Sequence, residues 1–177
     1  GISVYEEGRQ DRAWGMAFDP HYRAMLLGDE FVPLSKLSGA FLGAKTPLHL
    51  QFAYFESALA VEFLVSKLGA EGLNGLLDDL GAGVSVNEAL PKRGKMTLDE
   101  LDRQFTAFAR SRAEGVAPTA SWDEPELPPD ADPAALSRWL ATHPRSFPGW
   151  RRLAARLVAD AKWDQAKPAL ETLKGLF

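Results

Sequence analysis

Thr46-Pro47-Leu48-His49-Leu50-Gln51-Phe52-Ala53-Tyr54-Phe55-Glu56-Ser57-Ala58-Leu59-Ala60-Val61-Glu62-Phe63-Leu64-Val65-Ser66-Lys67-Leu68-Gly69 is the stretch that decides the fold. Thr46 is an N-cap residue type whose hydroxyl can take an orphan amide of the first turn. Pro47 follows at the first helical place, where its missing N–H costs nothing. Leu48, Leu50, Phe52, Phe55, Leu59, Val61, Phe63 and Leu64 surround most of the cylinder, so the pattern predicts a central buried helix over residues 46–68. Gly69 is its stop signal.

Working outward, residues 20–28 read as a short helix with Pro20 at its start, Tyr22, Met25 and Leu26 on one face and Gly28 at its end. Residues 33–43 read as another, with Leu34, Leu37, Ala40 and Phe41. Downstream, Leu73, Leu76, Leu77 and Leu80 mark an amphipathic turn or two before Gly81, and Val86, Ala89 and Leu90 a short helix before Pro91. Thr97-Leu98-Asp99-Glu100 is a capping box, in which the Thr side chain and the Glu side chain each satisfy a backbone amide. Leu98, Leu101, Phe105 and Phe108 follow it at helical spacing, and that helix ends near Gly115. Pro118, Pro125, Pro128 and Pro129 then lie among acidic residues. Such a run denies the backbone its helical donors and reads as an extended linker over 116–131. Asp132-Pro133 opens a helix through Leu136, Trp139 and Leu140 that ends at His143-Pro144. No strand alternation of useful length occurs. The expectation is an all-α chain with a helical subdomain at 1–115, a Pro/acidic linker at 116–131 and a helical tail at 132–177.

Composition removes several function classes. The chain has 177 residues and a formal net charge of −4, which argues against nucleic acid as a partner, since displacing phosphate counterions needs a basic face. No window of about 18 uninterrupted apolar residues suggests a membrane span. There are no cysteines, which excludes disulfides, thiolate zinc sites and a cysteine nucleophile. There are three histidines, His21, His49 and His143, none four residues from another, so no helical His-x-x-x-His pair can grip zinc. Each reads as a surface or helix-end residue. Asp78-Asp79, Asp99-Glu100 and Glu6-Glu7 read as solvated faces and capping carboxylates. No metal site is expected within the chain.

Two stretches carry chemistry. On the central helix, Gln51, Tyr54 and Ser57 form a narrow polar stripe. A buried phenol needs a partner or a cavity, and a donor facing a cleft is what oxyanion stabilisation requires. The competing reading is a buried tyrosine satisfied by a neighbouring carbonyl. The run from Tyr54 through the aliphatics to Leu68-Gly69 resembles a helix of the aminopeptidase N-like gluzincin metallopeptidases, in which a tyrosine hydroxyl stabilises the oxyanion. The opening Gly1-Ile2-Ser3-Val4-Tyr5-Glu6-Glu7 resembles the continuation of the helix that carries the third zinc ligand of those enzymes, a glutamate. Ile2, Tyr5 and Glu6/Glu7 stand at helical spacing, so a helix already under way at residue 1 reads as a trimmed boundary, the alternatives being a processed N-terminus or a tag-derived glycine.

The resemblance implies that Tyr54 is the catalytic phenol, with Gln51 and Ser57 lining the cleft. It implies Zn in the full-length parent, held by a His-Glu-x-x-His and a glutamate that this chain lacks, and a peptide or protein substrate for that parent. The chain alone is then inactive. Its setting leans to a bacterial extracytoplasmic one. The tail pattern Trp150-x-x-Leu153-Ala154-x-x-Leu157, with Ala166, Leu170 and the upstream Pro144, resembles a tetratricopeptide repeat, which implies a protein partner for it. The rival reading is a non-catalytic helical interaction module in which Tyr54 is core. A degenerate peptidase domain kept as a scaffold is a third.

Overall fold

The structure, a computed structural model, describes residues 1–11, 14 and 18–177. Among them the elements run α1 Ile2–Gln10, α2 Pro20–Leu27, a 3₁₀ helix Leu34–Gly39, α3 Pro47–Gly81, α4 Val86–Gly94, α5 Leu98–Glu114, α6 Pro133–Thr142, α7 Phe147–Ala159 and α8 Trp163–Leu176. The one β feature among them is an isolated bridge, Ser121 to Ser146, so the fold is all-α. The chain forms two compact units, Gly1–Glu114 and Gly115–Phe177.

In the first unit α3 starts where the sequence places it. The Thr46 hydroxyl accepts the His49 N–H at 3.3 Å, and Pro47 is the first helical residue. At Gly69 the backbone swings to φ +71°, ψ 176°, a region that only glycine enters at little cost. α3 is therefore two helical runs, 47–68 and 70–81, joined without a loop. The helix is long and apolar enough to cross a bilayer by length and composition, but half of its apolar window is buried inside the unit. It is the core helix. Phe52, Leu59, Ala60, Phe63 and Leu64 are buried on the first run, Leu73 and Leu76 on the second. α5 meets them with Leu101, Phe105, Ala109 and Ala113, spaced four apart and each fully buried. The Phe63 and Phe105 rings stand 5.6 Å apart, and Phe31 adds a third ring 5.5 Å from Phe105.

Three local expectations change. The helix expected at 33–43 is only the 3₁₀ helix Leu34–Gly39. Its serines and glycine are weak helix formers, and its start is held by a distant residue instead. The Ser35 N–H and hydroxyl both donate to Asp102 of α5, at 3.0 and 2.6 Å. Second, α4 does not stop before Pro91 but continues to Gly94. The continuation carries Lys92 and Arg93 onto Asp79, at 2.9 Å from Nζ and 2.6 Å from Nε. Asp79 is thus a buried, doubly paired carboxylate and not a solvated face. Hydrogen bonds from Arg93 and then Lys92 hold it down at about 2. Third, only half of the capping box forms. The Glu100 N–H donates to the Thr97 hydroxyl at 3.2 Å, while the Glu100 carboxylate accepts from Gln104 and Arg103.

The second unit has its own core of Leu136, Leu140, Leu153, Ala154, Leu157, Ala166 and Ala169. The turns between α6, α7 and α8 are short, so successive helices are antiparallel neighbours. The Ser146 hydroxyl caps α7 by accepting the Gly149 N–H at 3.1 Å, and the Trp150 indole donates to the Pro144 carbonyl at 2.9 Å. Residues 116–131 carry no helix, but they are a run of turns rather than an extended stretch, with turn bonds from Ala120 to Ala117 and from Ala131 to Pro128, and they are no free linker. The Ser121 amide and carbonyl bond to Arg145 and Phe147 at 2.8 and 2.9 Å. Trp122 stacks on Phe147 with centroids 4.7 Å apart, and the Arg152 guanidinium donates to the Leu127 and Pro128 carbonyls. The aromatic and aliphatic side chains spaced through the acidic stretch turn it into a strap on the helices.

Ala166 is 1% exposed, and close helix packing leaves it no room to grow. Ala166→Leu is expected to cost about 1–3 kcal/mol, the usual penalty for overfilling a packed core. Urea unfolding of the two chains checks this. An unchanged midpoint would mean that α8 does not pack closely at this position.

Candidate functional site

The polar stripe of α3 is split by what covers it. Gln51 and Tyr54 are exposed, Tyr54 by 45%, whereas Ser57 is buried. The cover over Ser57 is the start of α1. A Cβ built on Gly1 would come within 2.7 Å of the Ser57 carbonyl oxygen, so only a glycine allows that approach. The Ser57 hydroxyl turns back on its own helix and donates to the Tyr54 carbonyl at 2.9 Å. The Tyr54 ring stands edge-on to Phe41, centroids 5.0 Å apart at 77°, and among the described residues its hydroxyl has no hydrogen-bond partner. The phenol is thus neither buried nor satisfied by a neighbouring carbonyl. Phe41 and Ser57 continue into an apolar hollow of about 500 Å³, lined also by Ile2, Leu64, Leu76 and Leu90.

Among the described residues no group of three or more His, Cys, Asp or Glu side chains could hold a metal ion. The histidines stand at helix ends. His21 pairs with Asp19 at the start of α2, at 2.7 Å. His49 sits between Thr46 and Glu30 at the start of α3, at 2.6 and 3.1 Å. His143 ends α6, its ring stacked on Trp139 at 4.0 Å. Glu6 is engaged by Arg9 at 2.8 Å.

A second polar centre was missed in the sequence. Glu56 lies in the run quoted above, on the face shared by Phe52, Leu59, Ala60 and Phe63, and it is fully buried. Its Oε1 accepts the Val32 N–H at 2.7 Å, and its Oε2 has no partner. Burial pushes the carboxyl up to about 7, the Val32 hydrogen bond opposing this only in part. It borders a hollow of about 350 Å³ together with Lys36, Lys45, His49 and Phe52. The signal was legible in principle, since a lone glutamate at i+4 from Phe52 and i−3 from Leu59 stands on an apolar face.

This carboxyl has a thermodynamic signature. A group whose pKa is raised in the folded state contributes its stability below the unfolded value, near 4.5, and loses it as pH rises through about 7. Wild type minus Glu56→Gln is therefore expected to fall by about 3 kcal/mol between pH 4.5 and pH 8. Urea melts of both chains across that range measure it. A pH-independent difference would mean that Glu56 is solvated.

The chain matches no protein-family model, no curated protein and no solved structure at a significant level.

Proposed function

We propose that residues 1–115 supply the helical wall of a peptidase cleft, with the Tyr54 hydroxyl as a donor to the oxyanion formed at the scissile carbonyl. Zn, the metal-bound water and the general-base glutamate would be contributed by a His-Glu-x-x-His segment outside this sequence, and the substrate is a peptide or protein. The observation that carries this reading is the state of the phenol. It is half exposed, its hydroxyl is unspent, its ring is fixed by Phe41, and α1 packs one helical turn further along the same helix. A donor already held in place before charge develops is what stabilises an oxyanion most. The other two members of the stripe contribute unequally. Gln51 remains free to line a cleft, while Ser57 acts through the backbone of Tyr54.

The rival reading, a helical interaction module, draws on the second unit. Trp163 and Leu170 lie on one face of α8, 62% and 49% exposed, and the tetratricopeptide-like pairing of α7 and α8 would present that face to a protein partner. The coding sequence directly upstream of Gly1 decides between the two. The peptidase reading requires a His-Glu-x-x-His within a few tens of residues and a glutamate just before Gly1. An upstream frame without that motif ends it and leaves the module.

A further inference from the structure

We infer that the apolar hollow lined by both runs of α3 binds one unbranched alkyl chain of medium length with a small uncharged head, the chemistry of a fatty alcohol. The inference stands apart from the peptidase reading, since Tyr54 is not among the residues that line the hollow.

The first observation is how the hollow is built. The first run of α3 lines it with Ser57, Ala60, Val61 and Leu64, the second with Leu73, Leu76, Leu77 and Leu80. Each member of the second set stands sixteen positions after its counterpart in the first. In an unbroken helix, at about 100° per residue, the two sets would lie about 160° apart and face opposite sides. The break at Gly69 brings them to one place, so a backbone conformation that is costly for other residues serves the hollow. Leu37 and Phe41 close it from one side and Leu90 of α4 from another.

The second observation is the chemistry of the lining. None of its side chains is charged, and its polar ones are three serines. Ser3 and Ser38 are exposed and mark the mouth, while Ala60, Leu64, Leu76 and Leu90 are buried and form the floor. A charged head finds no opposite charge among these side chains, whereas an alcohol finds hydroxyls that both donate and accept. The third is size. The hollow measures about 500 Å³, within the range of small-molecule sites. A helix with its side chains is about 10–12 Å across and rises 5.4 Å per turn, so a single turn fills roughly 400–600 Å³. The space therefore takes about one turn, too little to hold a partner helix, and suits a thinner occupant.

The test titrates the 177-residue chain by calorimetry with 1-butanol, 1-hexanol and 1-octanol. Each added pair of methylenes is expected to tighten binding about fifteenfold, the gain from burying two CH₂ groups. 1,8-Octanediol would carry a hydroxyl to the apolar floor and should bind at least about fivefold more weakly than octanol. Octylammonium should bind no more tightly than octanol. Leu77 is 39% exposed, so Leu77→Asp leaves the core intact, and the carboxylate it sets on the wall should weaken octanol by about tenfold or more. Ala60→Leu fills the floor and should abolish octanol binding while the urea midpoint holds or rises, which a misfolded variant would not show. No saturable octanol binding at about 1 mM, equal affinities along the alcohol series, or octanol affinity unchanged by Leu77→Asp would each overturn the proposal. So would sedimentation that finds a second copy in the hollow: a dimer that Leu77→Asp separates and octanol does not.

Discussion

Phe105→Ala is expected to destabilise the first unit by about 3–5 kcal/mol, the range found when a buried aromatic ring is cut to a methyl. Phe105 is fully buried at the centre of the α5 stripe and touches rings from two other segments, Phe31 at 5.5 Å and Phe63 at 5.6 Å. Such tilted pairs add about 0.5–1.5 kcal/mol beyond the area they bury. The cavity cannot collapse easily, because Phe63 beside it, and Leu101 and Leu26 of the same core, are themselves almost wholly buried. Phe105→Leu keeps most of the volume and should lose less than half as much. Urea unfolding followed by circular dichroism reads both. A loss under about 1 kcal/mol for the alanine variant would mean that the core is not organised around this ring.

On the peptidase reading proposed above, Tyr54→Phe is expected to cut turnover of a zinc-bearing parent by about 10²–10³, the scale for losing one oxyanion donor. The substitution is well matched to the question. It removes a hydroxyl that has no partner within the described chain and keeps the ring that packs on Phe41. Folding stability and metal content should hold, and the loss should appear in kcat more than in KM, since the interaction belongs to the transition state. Steady-state kinetics on a fluorogenic peptide measures it. Unchanged turnover takes Tyr54 out of the mechanism.

How much of this was legible depends on whether the cause is local. The start of α3 is written in Thr46-Pro47, and its break in Gly69, because cap and left-handed backbone are properties of single residues. The α5 stripe is equally plain, since Leu101 and Phe105 repeat at the helical period. Pro91 misleads for the opposite reason. A proline removes one hydrogen bond wherever it stands, but the ion pairs of Lys92 and Arg93 with Asp79 come from a residue 13 or 14 positions away. Periodicity groups Gln51, Tyr54 and Ser57 on one stripe. It says nothing about α1 lying across one of them. Glu56 could be suspected as the odd residue on an apolar face. That only one of its oxygens finds a donor depends on Val32, 24 residues earlier, arriving at 2.7 Å.

The strap formed by residues 116–131 also bears on how the protein can be divided. A piece cut by composition, beginning at 132, would strip Trp122 from Phe147 and leave the Arg152 guanidinium without its two carbonyls. The freshly bared aromatic surface invites aggregation. A shortened chain meant for expression of the C-terminal helices should instead begin at Gly115, where the compact unit itself begins.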